Sequence, residues 1–180
     1  MRVSESTYDI AGRRLLLRVP EEADAEIMIE GLRTVCGETD FLLRGAEEVN
    51  MSGEDERAFI NAMNRSEHDL MLLGFLDGEY AGCCSFSGNG LFRLRHRAAL
   101  GIALMQRFTG LGIGRIMLER LASEAKGAGI EQLELEVDAA NTRAIELYKR
   151  LGFGTFGRLP DNIKYADGRY SDSLWMMKKI

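Results

Sequence analysis

The sequence feature that most constrains the fold of this 180-residue chain is a glycine-rich turn between a strand pattern and a helix pattern. The turn reads TGLGIG over residues 109–114. Residues 100–105, which precede it, are apolar or small on both faces, and this predicts a buried central strand. From Ile113 onward, apolar residues recur at helical spacing, which predicts an amphipathic helix to about Lys126.

This arrangement is typical of a phosphate site. Glycine has no Cβ, so the backbone at Gly110 and Gly112 can turn sharply and bring its N–H groups close to a ligand. The first turn of the helix adds unpaired N–H groups and the positive end of the helix dipole, and both favour an anion. We therefore expect a Cβ at Gly112 or Gly114 to block the approach of a phosphate. A tight strand-to-helix turn without a ligand is the alternative.

Two nucleotide-binding patterns do not fit this turn. A P-loop needs Lys and then Ser or Thr after its last glycine, whereas Gly114 is followed by Arg115 and Ile116. The dinucleotide fingerprint G-x-G-x-x-G would need its third glycine at the position of Arg115. The ligand class therefore depends on a second segment.

That segment follows a predicted strand at residues 133–137 and reads NTRAIELYKRLGF over residues 141–153. Together with the glycine turn, it resembles the GNAT superfamily of N-acetyltransferases. In that family the pattern Gln/Arg-x-x-Gly-x-Gly/Ala binds the pyrophosphate of acetyl-CoA, and an Asn, an Ala-Ile pair, a Tyr and a Leu-Gly-Phe mark the next helix and strand. The matching positions are Gly112, Gly114, Asn141, Ala144, Tyr148, Gly152 and Phe153.

The resemblance extends from about Asp69 to the C-terminus. Residues 96–102 and 167–172 are similar to a branch that contains ribosomal-protein-type and small-molecule acetyltransferases. The chain departs from the family at Thr109, where Gln or Arg is usual. This departure concerns one side-chain contact with phosphate and leaves the backbone amide cradle intact.

The resemblance implies a site for acetyl-CoA as the acetyl donor. Pantetheine would lie beside the strand at Ala103, with a backbone N–H of the same strand facing the thioester oxygen. Packing is the alternative role for these strand residues. Arg115, Arg143 and Lys149 are candidate contacts for the 3′-phosphate. The implied cofactor-binding residues are Ile102, Ala103, Leu104, Thr109, Gly110, Leu111, Gly112, Ile113, Gly114, Arg115, Asn141, Ala144 and Tyr148.

Acetyl transfer needs a neutral amine, stabilisation of an oxyanion and an acid that protonates the leaving thiolate. The resemblance implies that Tyr148 is this acid, since a phenol with a reference pKa of about 10 stays protonated at neutral pH. A core tyrosine is the alternative, because Tyr148 lies on the apolar stripe of its helix. Asn141 likewise fits a helix N-cap as well as a contact with CoA.

No residue is recognisable as the general base. Some family members carry a Glu on the fourth strand, where this chain has Ala98 and Ala99. The remaining candidates are His96, Asp138, Glu38 and Asp172, and a structural or surface role is the alternative for each. The working hypothesis is therefore that removal of the amine proton is left to water or to the solution equilibrium of the amine, without a dedicated side chain.

Strand and helix patterns along the chain predict an α/β fold with a mixed sheet. Strands are expected at residues 13–18, 69–76, 79–87, from about 96, at 133–137, and in a final hairpin at 163–165 and 170–178. One helix, with Ile27 and Leu32 on its apolar face, follows Pro20, and another starts at a capping box of Ser52 and Asp55. The resemblance implies a mostly antiparallel sheet, splayed between its fourth and fifth strands and flanked by helices. The length predicts a single domain over residues 1–180, and the resemblance implies that it is an N-acetyltransferase domain.

Charge and cysteine usage limit the classes of partner. A net charge of -5 without a Lys/Arg-rich block argues against direct binding to nucleic acid. The cysteines, Cys36, Cys83 and Cys84, form neither a disulfide framework nor a metal site, so we expect no metal and free thiols, with Cys83 and Cys84 on opposite faces of a strand. Without an 18-residue apolar run or a signal-peptide pattern, we expect a cytoplasmic protein that does not contact the membrane.

From these observations we expect an N-acetyltransferase that transfers the acetyl group of acetyl-CoA to a primary amine by direct attack in a ternary complex. A small-molecule amine is favoured, because no peptide-binding signature is visible. The alternatives are a protein N-terminal acetyltransferase, a catalytically silent CoA-binding sensor and a phosphate-binding regulatory domain. A homodimer is compatible with the sequence.

Overall fold

The computed structural model describes Met1 and residues 3–180, and eight strands of this part of the chain form one sheet. Their spatial order is β1-β2-β3-β4-β5-β6-β8-β7, and within it the β5–β6 pair is parallel while the other pairs are antiparallel. The predicted mixed, mostly antiparallel sheet is thereby confirmed. The strands are β1 (Ser6–Ile10), β2 (Arg13–Arg18), β3 (Asp69–Leu76), β4 (Glu79–Ser87), β5 (Arg97–Leu104), β6 (Gln132–Asp138), β7 (Gly154–Lys164) and β8 (Tyr170–Lys179).

Helices cover both faces of the sheet. They are α1 (Ala25–Glu38), α2 (Gly53–Arg65), α3 (Ile113–Gly127) and α4 (Thr142–Arg150). Successive residues of a strand point to opposite faces, and the two adjacent cysteines of β4 follow this rule as predicted. The Cys84 Sγ lies 3.8 Å from the Met117 carbonyl oxygen of α3, whereas Cys83 faces a cavity under α1 and α2. Among the described residues, no helix is long and apolar enough to span a membrane.

The sheet opens between β5 and β6. These strands pair only over Arg97–Ala99 and Gln132–Glu134, although both continue well beyond these residues. An ion pair between Arg97 and Glu134 bridges the closed end. This opening is the splay that the resemblance implies. The resemblance places it between the fourth and fifth strands, and it lies between β5 and β6 here because the sequence pattern missed β1, which adds one to the number of every later strand.

Three details of the predicted elements were wrong. The sequence pattern missed β1, which reads STYDI and alternates between half-buried and exposed residues, so it carries little apolar signal. It also missed the first part of β7, which is mostly exposed, contains Pro160 and has two register shifts against β8. Ile27 is 40% exposed, because the buried face of α1 is formed by residues such as Met28 and Val35.

Candidate active site

The glycine-rich turn begins after the short 3-10 helix Gln106–Phe108 and leads into α3. Gly110 and Gly112 have φ angles of 83° and 86°, and Gly112 is the N-cap of α3. A Cβ added at Gly112 would meet no atom within 4 Å. The left-handed backbone, rather than a neighbouring side chain, therefore requires glycine at this position.

The backbone of the turn presents free donors. Within the described part of the chain, the N–H groups of Leu111 and Gly112 make no hydrogen bond. The first turn of α3 adds N–H groups without an acceptor in the helix, and it contains no acidic residue. The Ile113 side chain is fully buried, so this residue can offer only its backbone to a ligand. These features suit an anion such as a pyrophosphate.

The surroundings of Gly114 favour a different role from the one that the sequence predicted. A Cβ there would lie 3.2 Å from the Leu104 Cδ1 atom and 3.4 Å from the Leu147 Cδ2 atom. Glycine at this position therefore lets the start of α3 pack closely against β5 and α4. Packing within the protein already fills the direction that a Gly114 side chain would take, so the structure favours a packing role for this glycine over the predicted block to a phosphate.

One of the three candidate cations lies at the turn. The Arg143 Nη2 atom is 3.4 Å from the position that a Cβ on Gly110 would take. Arg115 and Lys149 instead form ion pairs with carboxylates on their own helices, Glu119 at 2.8 Å and Glu146 at 3.1 Å. The Thr109 hydroxyl donates to the Gln106 carbonyl oxygen at 2.6 Å and closes the preceding turn.

The open side of β5 carries backbone groups without a strand partner. Met105 donates its N–H to the carbonyl oxygen of Ala81 in β4. Because backbone groups alternate along an extended strand, Ile102 and Leu104 direct theirs away from β4 and toward the opening. Ala103 points its side chain into the cavity under α1 and α2. This part of β5 therefore borders both the opening and that cavity.

Helix α4, whose Arg143 and Leu147 lie next to the glycine turn and the start of α3, is capped by Asn141 and carries Tyr148. The Asn141 side chain accepts a hydrogen bond from the Ala144 N–H at 3.2 Å, so it caps the helix. Tyr148 is buried and packs edge-on against Phe153, with ring centroids 5.9 Å apart. Burial raises the pKa of Tyr148 to about 12. Its hydroxyl makes no hydrogen bond within the described residues, yet it is not fully enclosed.

Asp138, one of the four candidate bases, anchors the final hairpin. Its carboxylate accepts hydrogen bonds from the Tyr165 and Ser171 hydroxyls and from the Ala140 N–H. The side chain is buried at the end of β6. These contacts join β6 to both ends of the β7–β8 turn, so they give Asp138 a structural role.

The other candidate bases either interact with groups of the protein or lie far from the cavity. Asp172 forms an ion pair with Arg158. The Glu38 carboxylate accepts the Gln106 N–H at 2.6 Å, which ties the end of α1 to the segment before the glycine turn. His96 precedes β5, and seven extended residues, about 23 Å, separate it from the part of β5 next to the cavity. None of these arrangements places a free base beside the opening.

A cavity of about 430 Å³ lies between α1, α2 and the strands β3–β5. Its volume falls within the roughly 300–1,000 Å³ of small-molecule sites. Sequence reasoning missed it, because its wall is assembled from segments far apart in the chain. The apolar side chains of the wall include Met28, Leu32, Val35, Phe59, Met71 and Ala103, and its polar side chains are Arg44, Asp55, Glu56, Tyr80 and Cys83.

Comparison with solved structures supports the expected family. A GNAT-family acetyltransferase from Streptococcus pneumoniae has a TM-score of 0.88 against this chain at 30% identity, and the match covers 92% of this chain and 99% of that one. The family model described as Acetyltransferase (GNAT) family matches residues 39–153.

Curated relatives include two kinds of acetyltransferase. The chain is 46% identical over 52 residues to [Ribosomal protein bS18]-alanine N-acetyltransferase of Salmonella typhimurium. This match covers 29% of this chain and 35% of that protein. It is 24% identical over 127 residues to L-methionine sulfoximine/L-methionine sulfone acetyltransferase of Pseudomonas paraeruginosa. This match covers 70% of this chain and 73% of that protein. The chain thus spans only about a third of the first relative's length. Because the family model covers most of the chain and a family member shares its fold, this protein belongs to the GNAT family of acetyltransferases.

Proposed function

We propose that this protein is an acetyl-CoA-dependent N-acetyltransferase, with residues 1–180 as one domain, which acetylates a primary amine by direct attack in a ternary complex. The observation that carries the proposal is the left-handed Gly112 at the start of α3, beside the opening between β5 and β6. The space next to Gly112 and the free N–H groups of the turn fit a pyrophosphate. Acetyl-CoA supplies a thioester as the acyl donor.

The chain's own groups then have distinct tasks. Backbone N–H groups from Leu111 to the first turn of α3 bind the pyrophosphate, and the Arg143 guanidinium adds a positive charge next to them. The backbone N–H groups of Ile102 and Leu104 face the opening and hydrogen-bond the thioester oxygen. Tyr148 holds its phenolic proton on Oη and donates it to the leaving sulfur.

We infer that the acceptor is a small-molecule amine, because the cavity beside β5 has the volume of a small-molecule site. The relative that acts on L-methionine sulfoximine and L-methionine sulfone supports this inference. A protein N-terminal acetyltransferase is the second candidate, favoured by the 46% identity with the bS18-alanine enzyme.

Acetyl-CoA is expected to raise the melting temperature, whereas ATP and NAD leave it unchanged. A ligand that binds only the native state at about 100 times its Kd stabilises the protein by about 2.7 kcal/mol. For a chain of this size, that free energy corresponds to a shift of about 5–11 °C. Differential scanning fluorimetry with the three ligands measures it, and an equal shift with ATP would contradict the assignment.

Release of free CoA thiol across a panel of amines and of peptides with free N-termini identifies the acceptor class. Turnover with small amines supports the proposal, and turnover confined to peptides supports the second candidate. Tight binding of acetyl-CoA without turnover on either set would instead indicate a CoA-binding sensor.

A further inference from the structure

We propose that the cavity between α1, α2 and β3–β5 receives an acceptor amine on an apolar body, and that the Glu56 carboxylate binds its ammonium group and takes up the proton. This inference rests on the proposed function and names the substrate class and the general base of the same site. It replaces deprotonation by water, which the sequence suggested.

The cavity shares a wall with the proposed donor site. Ala103 contributes to the cavity, while the neighbouring Ile102 and Leu104 direct backbone groups into the opening between β5 and β6. An amine in the cavity would therefore reach β5 at the residues proposed to hold the thioester. The two sites meet at one short stretch of a single strand.

Glu56 is the carboxylate of α2 that faces this cavity without a partner. Within the described residues it forms no ion pair or hydrogen bond, and it is half-buried. Its charged neighbours on the helix already have interaction partners. Asp55 forms the capping box with Ser52, and Arg57 forms an ion pair with Glu26 at 3.0 Å. An unpaired carboxylate against apolar walls is costly, so a cation placed beside it stabilises the arrangement.

The environment of Glu56 also favours uptake of a proton. Burial raises its pKa, whereas hydrogen bonds from Ser52 lower the pKa of Asp55. Burial also raises the pKa values of Tyr80 and Cys83, so both remain neutral at pH 7. Arg44 is the basic side chain of the same wall. Glu56 is therefore the carboxylate of the cavity whose pKa burial raises above its ordinary value, which makes it a better proton acceptor than an exposed carboxylate.

The chemical step is one proton transfer. An ammonium group in the cavity gives one proton to a Glu56 carboxylate oxygen, which leaves a neutral amine with a free lone pair and a neutral carboxylic acid. Because the side chain is half exposed, this proton can pass to water after the reaction. The predominantly apolar walls favour a monoamine with an aliphatic or aromatic body over a polyamine or a sugar.

The test compares wild type, Glu56→Gln and the control Glu54→Gln with phenethylamine and L-phenylalaninamide, whose amine pKa values differ by about two units. Glu54 lies on the same turn of α2, is exposed and does not contribute to the cavity wall. Isothermal titration calorimetry with free CoA present measures amine binding. We expect Glu56→Gln to bind phenethylamine about 10- to 100-fold more weakly and Glu54→Gln to match wild type.

The pH dependence of kcat/KM gives the second readout. In wild type, the acidic limb should fall at the same pH for both amines, because an enzyme group removes the proton. In Glu56→Gln the limb should move up in pH and follow the pKa of each amine. The acetyl-CoA melting shift of each variant verifies that it is folded and that its donor site is intact.

Three results would overturn the inference: unchanged phenethylamine binding in Glu56→Gln, a wild-type profile that already follows the amine pKa, or failure of wild type to bind either amine. Each of these leaves the proposed function standing while wild type still binds acetyl-CoA. If the wild-type protein does not bind acetyl-CoA, that result would contradict the proposed function.

Discussion

Replacement of Tyr148 by Phe is expected to lower kcat by about 10²- to 10⁴-fold, the range typical of losing a general acid. Burial raises the Tyr148 pKa to about 12, so the phenol stays protonated across the assay range and can donate its proton to the leaving sulfur. Phe keeps the edge-on contact with Phe153 and removes only the hydroxyl. Acetyl-CoA affinity should therefore remain close to that of wild type.

Steady-state release of CoA thiol and the acetyl-CoA melting shift measure the two parts of this prediction. Tyr170→Phe is the matched control, because Tyr170 is 56% exposed and its hydroxyl makes no hydrogen bond within the described residues. The Tyr148 hydroxyl also has no such partner, so its removal leaves no buried group unpaired. Normal turnover of Tyr148→Phe would make this residue a core tyrosine and leave protonation of sulfur to water.

The central part of the fold could be predicted because its signals are local. Apolar runs mark β3, β4 and β5, and alternation of apolar and acidic residues marks β6. An Asp77-Gly78 turn joins β3 to β4, and helical spacing begins where the glycine turn ends. At the edges of the sheet, β1 and β7 bury few side chains, so they carry little apolar alternation. Their place in the sheet follows from pairing with β2 and β8, which a pattern within one segment cannot reveal.

The candidate site also has parts that the sequence could predict and parts that depend on the three-dimensional packing. The position of the glycine turn follows from sequence, but the different reasons for Gly112 and Gly114 depend on which atoms surround each residue. The pairing of Arg115 with Glu119 follows the usual i,i+4 rule and could have been predicted. The role of Glu56 could not be predicted from the sequence, because only the packing of α1 and α2 over the sheet makes it an unpaired carboxylate in a cavity.

Replacement of Gly112 by Val is expected to abolish the stabilisation by acetyl-CoA. A Val side chain would extend into the open space beside the free N–H groups of the turn, where the pyrophosphate is proposed to bind. The φ angle of 86° also disfavours any residue with a Cβ, at a cost of about 1–2 kcal/mol. In the absence of ligand, that strain corresponds to a decrease in melting temperature of about 2–8 °C, so the variant should still fold.

Gly114→Ala is the matched control, since it adds a Cβ two residues away that presses on Leu104 and Leu147. Overpacking of this kind typically costs about 1–3 kcal/mol. Gly114→Ala should therefore melt at a lower temperature without ligand and yet keep its acetyl-CoA shift, whereas Gly112→Val should lose the shift. Scanning fluorimetry of both variants with and without acetyl-CoA separates ligand binding from packing. A folded Gly112→Val protein with a full acetyl-CoA shift would remove the glycine turn from the pyrophosphate site.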